Sequence, residues 1–445
     1  MATTKFHFSE PEHGLDDRVA ETRLRENALA RMVMTYVGTG LAFMLLPGTF
    51  LGVWNLLSIS NKHAANSVSA AWIQAHGQAQ VFGWIGTFIL GIGFYSIPKM
   101  RRSQPFAMWA AWACWAVWST GVLLRWVATV YEWHWRVMLP VSAGLQLLAF
   151  IAFFTAVSSH RPASSGGLRP KLDRWIFVVI AGTVGLLATL IANLAGSINV
   201  ALRANSPAFG KNFDQRFLVL MAWGFMVPFI WGFSARWVST FLGLRPVCER
   251  GLMLLVAVNS AGVVLAMFGQ FRIAVLLLLA GAAMSTLAIR VAFPAIQPAK
   301  TVGVHRWFPY FVRLAYAWLI VAGALGVWAA FAQYPDGIWG ASRHALTVGF
   351  VATMVFAVGQ RVLPAFSGMR VLFSTKLMGA SLCLLAIGCL LRVGSEVLAY
   401  QSFAASAWRW LPVSAVIELT AVTLFAANLV ATFLTPPPSA LVRIR

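Results

Sequence analysis

Charge is scarce in this chain. Of its 445 residues 11% are charged and 59% hydrophobic, where a soluble domain carries about 25% charge, so a soluble globular fold is excluded. Acid is scarcer still: 13 Asp and Glu face 34 Lys and Arg, a formal net charge of +21. The basic residues are scattered between apolar runs and form no continuous water-facing patch, which argues against nucleic acid as a partner and fits the positive-inside rule of membrane proteins. Cysteine is sparse as well. Cys114, Cys248, Cys383 and Cys389 are dispersed with no CxxC, so they offer no disulfide framework or thiolate metal site and read as small buried hydrophobes. The stretch from Met1 to Arg31 lacks an apolar core and is not a signal peptide. Residues 1–30 read as a cytoplasmic tail, with an amphipathic lead-in from Asp17 onward.

What is abundant is apolar sequence in lengths of about 20 residues, enough for one helix to cross a bilayer. Such runs fall at roughly 31–55, 72–97, 106–130, 137–159, 175–197, 215–240, 250–270, 272–293, 309–331, 343–364, 374–399 and 410–434. The connections are short. The expected fold is therefore an all-α integral membrane protein of twelve spans, with a transmembrane domain over 31–435, a cytoplasmic tail at 436–445, and the lipid bilayer as its first partner. With the N-terminus inside, alternation places Lys99, Arg101, Arg102, Arg161, Arg169, Lys171, Arg174, Arg245, Arg250, Lys300, Arg306, Arg370, Lys376, Arg443 and Arg445 on or near one side. Both termini are then cytoplasmic.

Internal repetition decides more than any single motif. Arg236, Phe241, Gly243 and Arg245 recur 125 residues later as Arg361, Phe366, Gly368 and Arg370, so spans six and ten correspond. Leu123-Leu124-Arg125 matches Leu390-Leu391-Arg392, and Leu139 to Ala143 (LPVSA) matches Leu411 to Ala415, pairing spans three and four with eleven and twelve. The unit is four helices used three times, over about 31–160, 174–293 and 308–434. A cofactor-free transporter built of two six-helix halves fits this poorly. Three pseudo-equivalent arcs fit it well.

Two stretches share a plan within that frame. QAHGQAQVFGWIG opens span two with His76, and SRHALTVGF opens span ten with His344, each followed by a glycine-aromatic step. A lone histidine near the end of a membrane helix ordinarily serves as an interfacial or hydrogen-bonding residue. Two at matching depth in repeat-related helices read instead as facing axial ligands of one haem, because neutral imidazole is a strong donor to iron.

In plan the chain resembles the haem-copper oxidase and nitric oxide reductase catalytic subunits. It is more closely similar to the NnrS family, on His76 with the following GQAQVFGW, the run WGFMVPFIWGFSAR from Trp223 to Arg236, and His344-Ala-Leu-Thr-Val-Gly349. It departs from many such sequences in having Gln74 and Gln78 where they carry a second histidine. The resemblance implies one bis-histidine haem b on His76 and His344, copper as a further cofactor, and a role in the nitric oxide response by sensing, electron transfer or protective binding. It also implies a prokaryotic inner membrane. A quinol-linked membrane cytochrome, with a quinol or redox protein as partner, is one alternative, and a cofactor-free twelve-helix transporter is the other. The oxidase reaction centre also needs histidines on helices six and seven and a second one on helix ten, whereas this chain has Val219 at the sixth-helix position, none in 250–270, and Ser342-Arg343 before His344. Metal-bridged oxygen or nitric oxide chemistry of that type is not expected.

Arg125 and Arg392, at matched positions in the half that would hold the haem, are candidate propionate partners, and Arg343 and Arg409 share that half. Their alternative is a snorkelling or interhelical charge, Glu396 pairing with Arg392 at i, i+4. His134, in YEWHWR, is a candidate metal ligand, with His63 as a companion for copper, or else a member of the aromatic belt. Glu418 stands where the first repeat has Gln146 and reads as a hydrogen-bonded helix contact or a proton-carrying site. His7, His13, His160 and His305 read as solvated.

Overall fold

Three helices carry little lipid-facing surface, and the rest are arranged around them. The computed structural model describes residues 13–64, 67–101, 106–158 and 173–436. Twelve helices there are long and apolar enough to span a membrane: α1 Ala20–Lys62, α2 Ala70–Met100, α3 Met108–Val130, α4 Trp135–Ser158, α5 Arg174–Arg203, α6 Lys211–Phe241, α7 Glu249–Met267, α8 Phe271–Ala288, α9 Phe308–Phe331, α10 Gly337–Phe366, α11 Thr375–Tyr400 and α12 Ala405–Leu434. In α2, α6 and α10 the buried share of the apolar window is 72, 78 and 67%, and in none of the other nine does it exceed 50%. A helix apolar on every side has no polar face to show water and is covered by its neighbours. These three form the inner ring.

The outer helices follow the repeat. α3 packs on α4, α7 on α8 and α11 on α12 as hairpins, while α4 meets α5, α8 meets α9, and α12 returns to α1. The chain thus closes three four-helix arcs into a ring. Among the described residues there is no strand. Away from the histidines the inner helices are tied by aromatic contacts, with ring centroids 6.1 Å apart for Trp84 and Phe356, 4.7 Å for Tyr95 and Phe366, and 6.3 Å for Trp237 and Phe366.

The inner helices share a local irregularity that hydropathy does not reveal. α2, α6 and α10 each widen into a π-helical segment, Ala79–Gly86, Leu220–Met226 and Ala345–Ala352, and each contains the glycine-aromatic step of its repeat. α1 has another at Met44–Phe50, around Pro47. Such turns carry one extra residue, loosen the backbone ladder and recur at functional sites.

Two boundaries differ from the hydropathy reading. The first helix starts at His13, inside the stretch set aside as a tail, because Glu, Arg and Ala are strong helix formers and Lys99 Nζ holds Glu26 at 2.6 Å. The tenth begins earlier than residue 343, so His344 lies inside the helix. Residues 1–12, His160, Arg102, Arg161, Arg169, Lys171 and the tail from 437 lie outside the described residues.

Candidate functional site

His76 sits about two turns into α2, which Ser69 starts by accepting the Ala71 amide at 3.2 Å. His344 closes the α-helical opening of α10, and its π segment begins at the next residue. At 1.5 Å of rise per residue the two lie roughly 9 and 10 Å below their helix starts. His76 is within electrostatic reach of both His344 and Arg392, so the two imidazoles and the guanidinium share one neighbourhood.

Each imidazole is held by its Nδ1. That of His76 lies 2.9 Å from the Gly48 carbonyl, in the π segment of α1. The ring rests over Gly52, where a Cβ would stand 2.7 Å from Cε1 and 2.9 Å from Nδ1, so any larger residue there displaces the imidazole. His344 Nδ1 lies 3.0 Å from the Gly340 carbonyl and 3.0 Å from Glu396 Oε2. Gly340 in turn leaves room for the carboxylate, since a Cβ there would collide with Glu396 Oε1. Both rings carry their proton on Nδ1 in this arrangement, which leaves the Nε2 lone pair for another partner.

Arg392 provides that partner for His344, with Nη2 at 3.4 Å from Nε2. It also stands 3.6 Å from Glu396 Oε2 through Nε, yet Nε and Nη1 make no hydrogen bond. Arg392 and Glu396 are only 8% exposed in their side chains, against 27% for His344. A buried guanidinium with bare N–H groups awaits an acceptor. Glu418 on α12 is within reach of Arg392, His344 and Glu396, and its Oε1 has no partner. Arg343 hydrogen-bonds Gln215 of α6.

The other sequence candidates lie elsewhere. Arg125 is 1% exposed and bonds Ser197 Oγ of α5 at 2.7 Å, with its guanidinium 4.7 Å from the Phe209 ring centroid; neither histidine is among its contacts. Its repeat partner Arg392 therefore faces one compartment and Arg125 another. His134 and His63 have positive φ, 42° and 50°, in loops. His134 packs against Trp133 at 5.2 Å and His63 stacks on Trp408 at 5.3 Å. Among the described residues no group of three or more His, Cys, Asp and Glu is gathered for a metal ion. His305 is half-buried and its Nδ1 accepts the Trp307 amide at 3.3 Å; burial and the neighbouring Arg306 lower its pKa. Sequence reading missed Glu396 as an imidazole partner. An acid in an apolar span, where the first repeat has Thr129, is the signal that points to it.

Comparison with known proteins bears on the fold. The structure is similar to that of a heme-copper terminal oxidase solved as a dimer, with a TM-score of 0.70 and 12% sequence identity over 92% of this chain and 85% of that one. This is thus a multi-pass membrane protein with a haem-copper-oxidase-like fold. Residues 237–434 match the model of a domain of unknown function, DUF8744. No curated protein matches.

Proposed function

We propose that this protein binds one haem b between α2 and α10, with His76 and His344 as axial ligands, and serves in the nitric oxide response as a sensor, electron carrier or protective binder. The observation that carries the proposal is the paired Nδ1 anchoring: each imidazole gives its N–H to an acceptor, Gly48 for one and Gly340 with Glu396 for the other. That orients Nε2, as ligating histidines require, and iron at His344 would replace the Arg392 Nη2 that lies 3.4 Å from its Nε2. The donor set fits the group. Two neutral imidazoles suit a six-coordinate haem iron, and the unpaired Nη1 of Arg392 suits a propionate oxygen. Bound haem would supply one-electron chemistry. Glu396 keeps His344 in the correct tautomer, and Gly52 admits His76. The resemblance to the NnrS family supports the nitric oxide role.

One observation favours the quinol-linked alternative. An apolar groove of about 590 Å³ between α1, α2 and α3 is lined by Pro47, Leu51, Trp72 and Trp126 among others, directly beside the Gly48 and Gly52 that seat His76. The large exposure of Leu46, Phe50 and Trp54 opens it to lipid. It would suit an isoprenoid quinol delivering electrons from the membrane.

The test is an absorption spectrum of the purified protein, oxidised and dithionite-reduced, with haem stoichiometry. His76→Ala and His344→Ala should each lose the low-spin spectrum. A wild-type protein without a Soret band, or full haem retention in both variants, would overturn the proposal. A spectral shift with nitric oxide supports the first role, and reduction by a quinol analogue the second.

A further inference from the structure

We propose that the free edge of the buried Arg125, in the first arc, binds a small planar oxyanion. The proposal does not depend on haem. Arg125 lies about 7 Å below the end of α3 and is 1% exposed. Its Nη1 donates to Ser197 Oγ at 2.7 Å, while Nε and Nη2 have no partner. Those two nitrogens present parallel N–H groups along one edge of the guanidinium, the fork that takes two oxygens of a carboxylate, nitrite or nitrate. A halide offers that fork one point of contact.

The surroundings are built from five helices and a loop. Gln74 of α2 clasps the backbone of Phe209, accepting its amide at 2.7 Å and donating to its carbonyl at 3.0 Å, which fixes the ring beneath Arg125. One turn on, Gln78 is 8% exposed with an unpaired Oε1. Asn193, one turn before Ser197 on α5, is fully buried, reaches Gln146 of α4 at 3.4 Å and keeps Oδ1 unpaired. Gln78 presents an N–H group after a half-turn of its side chain, whereas Asn193, which donates to Gln146 Oε1, does so only when Gln146 turns with it. The two bare N–H groups of the buried Arg125 call for an acceptor, and Gln78 and Asn193, each one turn from a residue that holds Phe209 or Arg125, keep an unpaired oxygen.

A guanidinium that is always charged selects the sign of what its free edge takes. Asp214 of α6 is within reach of both Arg125 and Arg343, and Arg343 is within reach of Glu396 as well.

The first repeat also explains why this site differs from the histidine site. Counting back from the glycine-aromatic step, Gln78 holds in α2 the place that His344 holds in α10, and Phe217 in α6 the place of His76 in α2. Arg125 corresponds to Arg392. The arginine is kept and the ligands are replaced, so the pseudo-equivalent site retains anion chemistry without metal chemistry.

The test is calorimetric titration of the full-length protein in detergent with nitrate and with acetate, using chloride as the control. Saturable one-site binding of both oxyanions is expected, with chloride weaker by about tenfold or more. Arg125→Lys, which keeps the charge and removes the fork, should weaken nitrate by about tenfold or more. Gln78→Leu, which leaves the guanidinium untouched, should weaken it by about threefold or more. Size-exclusion profiles verify that each variant is folded. If Arg125→Lys is misfolded, Gln78→Leu carries the test. No saturable heat from wild type, or an unchanged affinity in the folded variants, would show that water alone meets the free edge of Arg125 and overturn the proposal. A propionate could also supply the oxyanion, so His76→Ala is titrated in parallel. Binding that appears only in that variant would assign the edge to haem and overturn the free-anion site, whereas equal affinity supports it.

Discussion

Gly52 offers the sharpest test of how His76 is seated. An added Cβ would stand 2.7 Å from Cε1 and 2.9 Å from Nδ1 of the imidazole, whereas carbon atoms rest at about 3.5–4.0 Å. The ring must therefore retreat by roughly 0.8 Å or more. Metal–ligand distances tolerate about 0.2 Å, so Gly52→Ala should cost axial ligation even though it adds one methyl group. Overpacking of this kind destabilises a fold by about 1–3 kcal/mol, which a twelve-helix bundle survives. The matched control is Gly77→Ala, beside His76 itself, where a Cβ would meet nothing within 4 Å. Haem stoichiometry and the reduced α-band are measured in both variants, with circular dichroism for helix content. Gly52→Ala should lose the low-spin spectrum at native helicity and Gly77→Ala should keep it. Equal haem content and identical spectra in the two would refute the seating of His76 over Gly52.

Other perturbations read other parts of the structure. Glu396→Gln removes a negative charge that accepts from His344; loss of that charge disfavours ferric iron, and the midpoint potential in redox titration should rise, with 59 mV equal to about 1.4 kcal/mol for one electron. Glu26→Gln breaks the ion pair with Lys99, whose side chains are 47% and 40% exposed, so the thermal midpoint should move by no more than a surface pair is worth, about 0–1 kcal/mol. Trp231 is fully buried in the core, and Trp231→Ala should destabilise by about 3–5 kcal/mol in a denaturation assay. His305 has a pKa lowered in the fold from 6.5, so the unfolded chain binds more protons and stability falls as pH drops through the region near and below 6.5. His305→Gln should flatten the acid side of the thermal midpoint against pH, and an unchanged slope would show that His305 contributes nothing to it.

The fold was legible because membrane crossing imposes a length and the repeat imposes an order. Runs of about 20 apolar residues located the twelve helices, and the Arg236 to Arg361 and Arg125 to Arg392 correspondences grouped them in fours. The ends were less legible. Hydropathy stops where charge begins, whereas the helix ladder of α1 continues through a polar but helix-forming stretch back to His13. Sequence spacing also assumes 3.6 residues per turn, so the π segments of α2, α6 and α10 were invisible to it. They shift which side chains face inward by one residue.

The candidate site was legible at its histidines and illegible at their supports. Two imidazoles in repeat-related helices stand out in an apolar chain, but the Gly48 carbonyl is a backbone group, and nothing in the sequence sets Gly52 and Gly340 apart from the other glycines. Arg125 shows the limit of the repeat itself. Matching Leu123-Leu124-Arg125 to Leu390-Leu391-Arg392 assigned both arginines the same duty, yet equivalent positions in a threefold ring face different compartments. Arg392 looks toward His344 and Arg125 toward Ser197 and Phe209. Pseudo-symmetry thus repeats the scaffold and the cation, while the compartment decides the chemistry: where α2 and α10 both present imidazole a metal site can form, and where glutamine and phenylalanine replace them a buried arginine is left with its fork free.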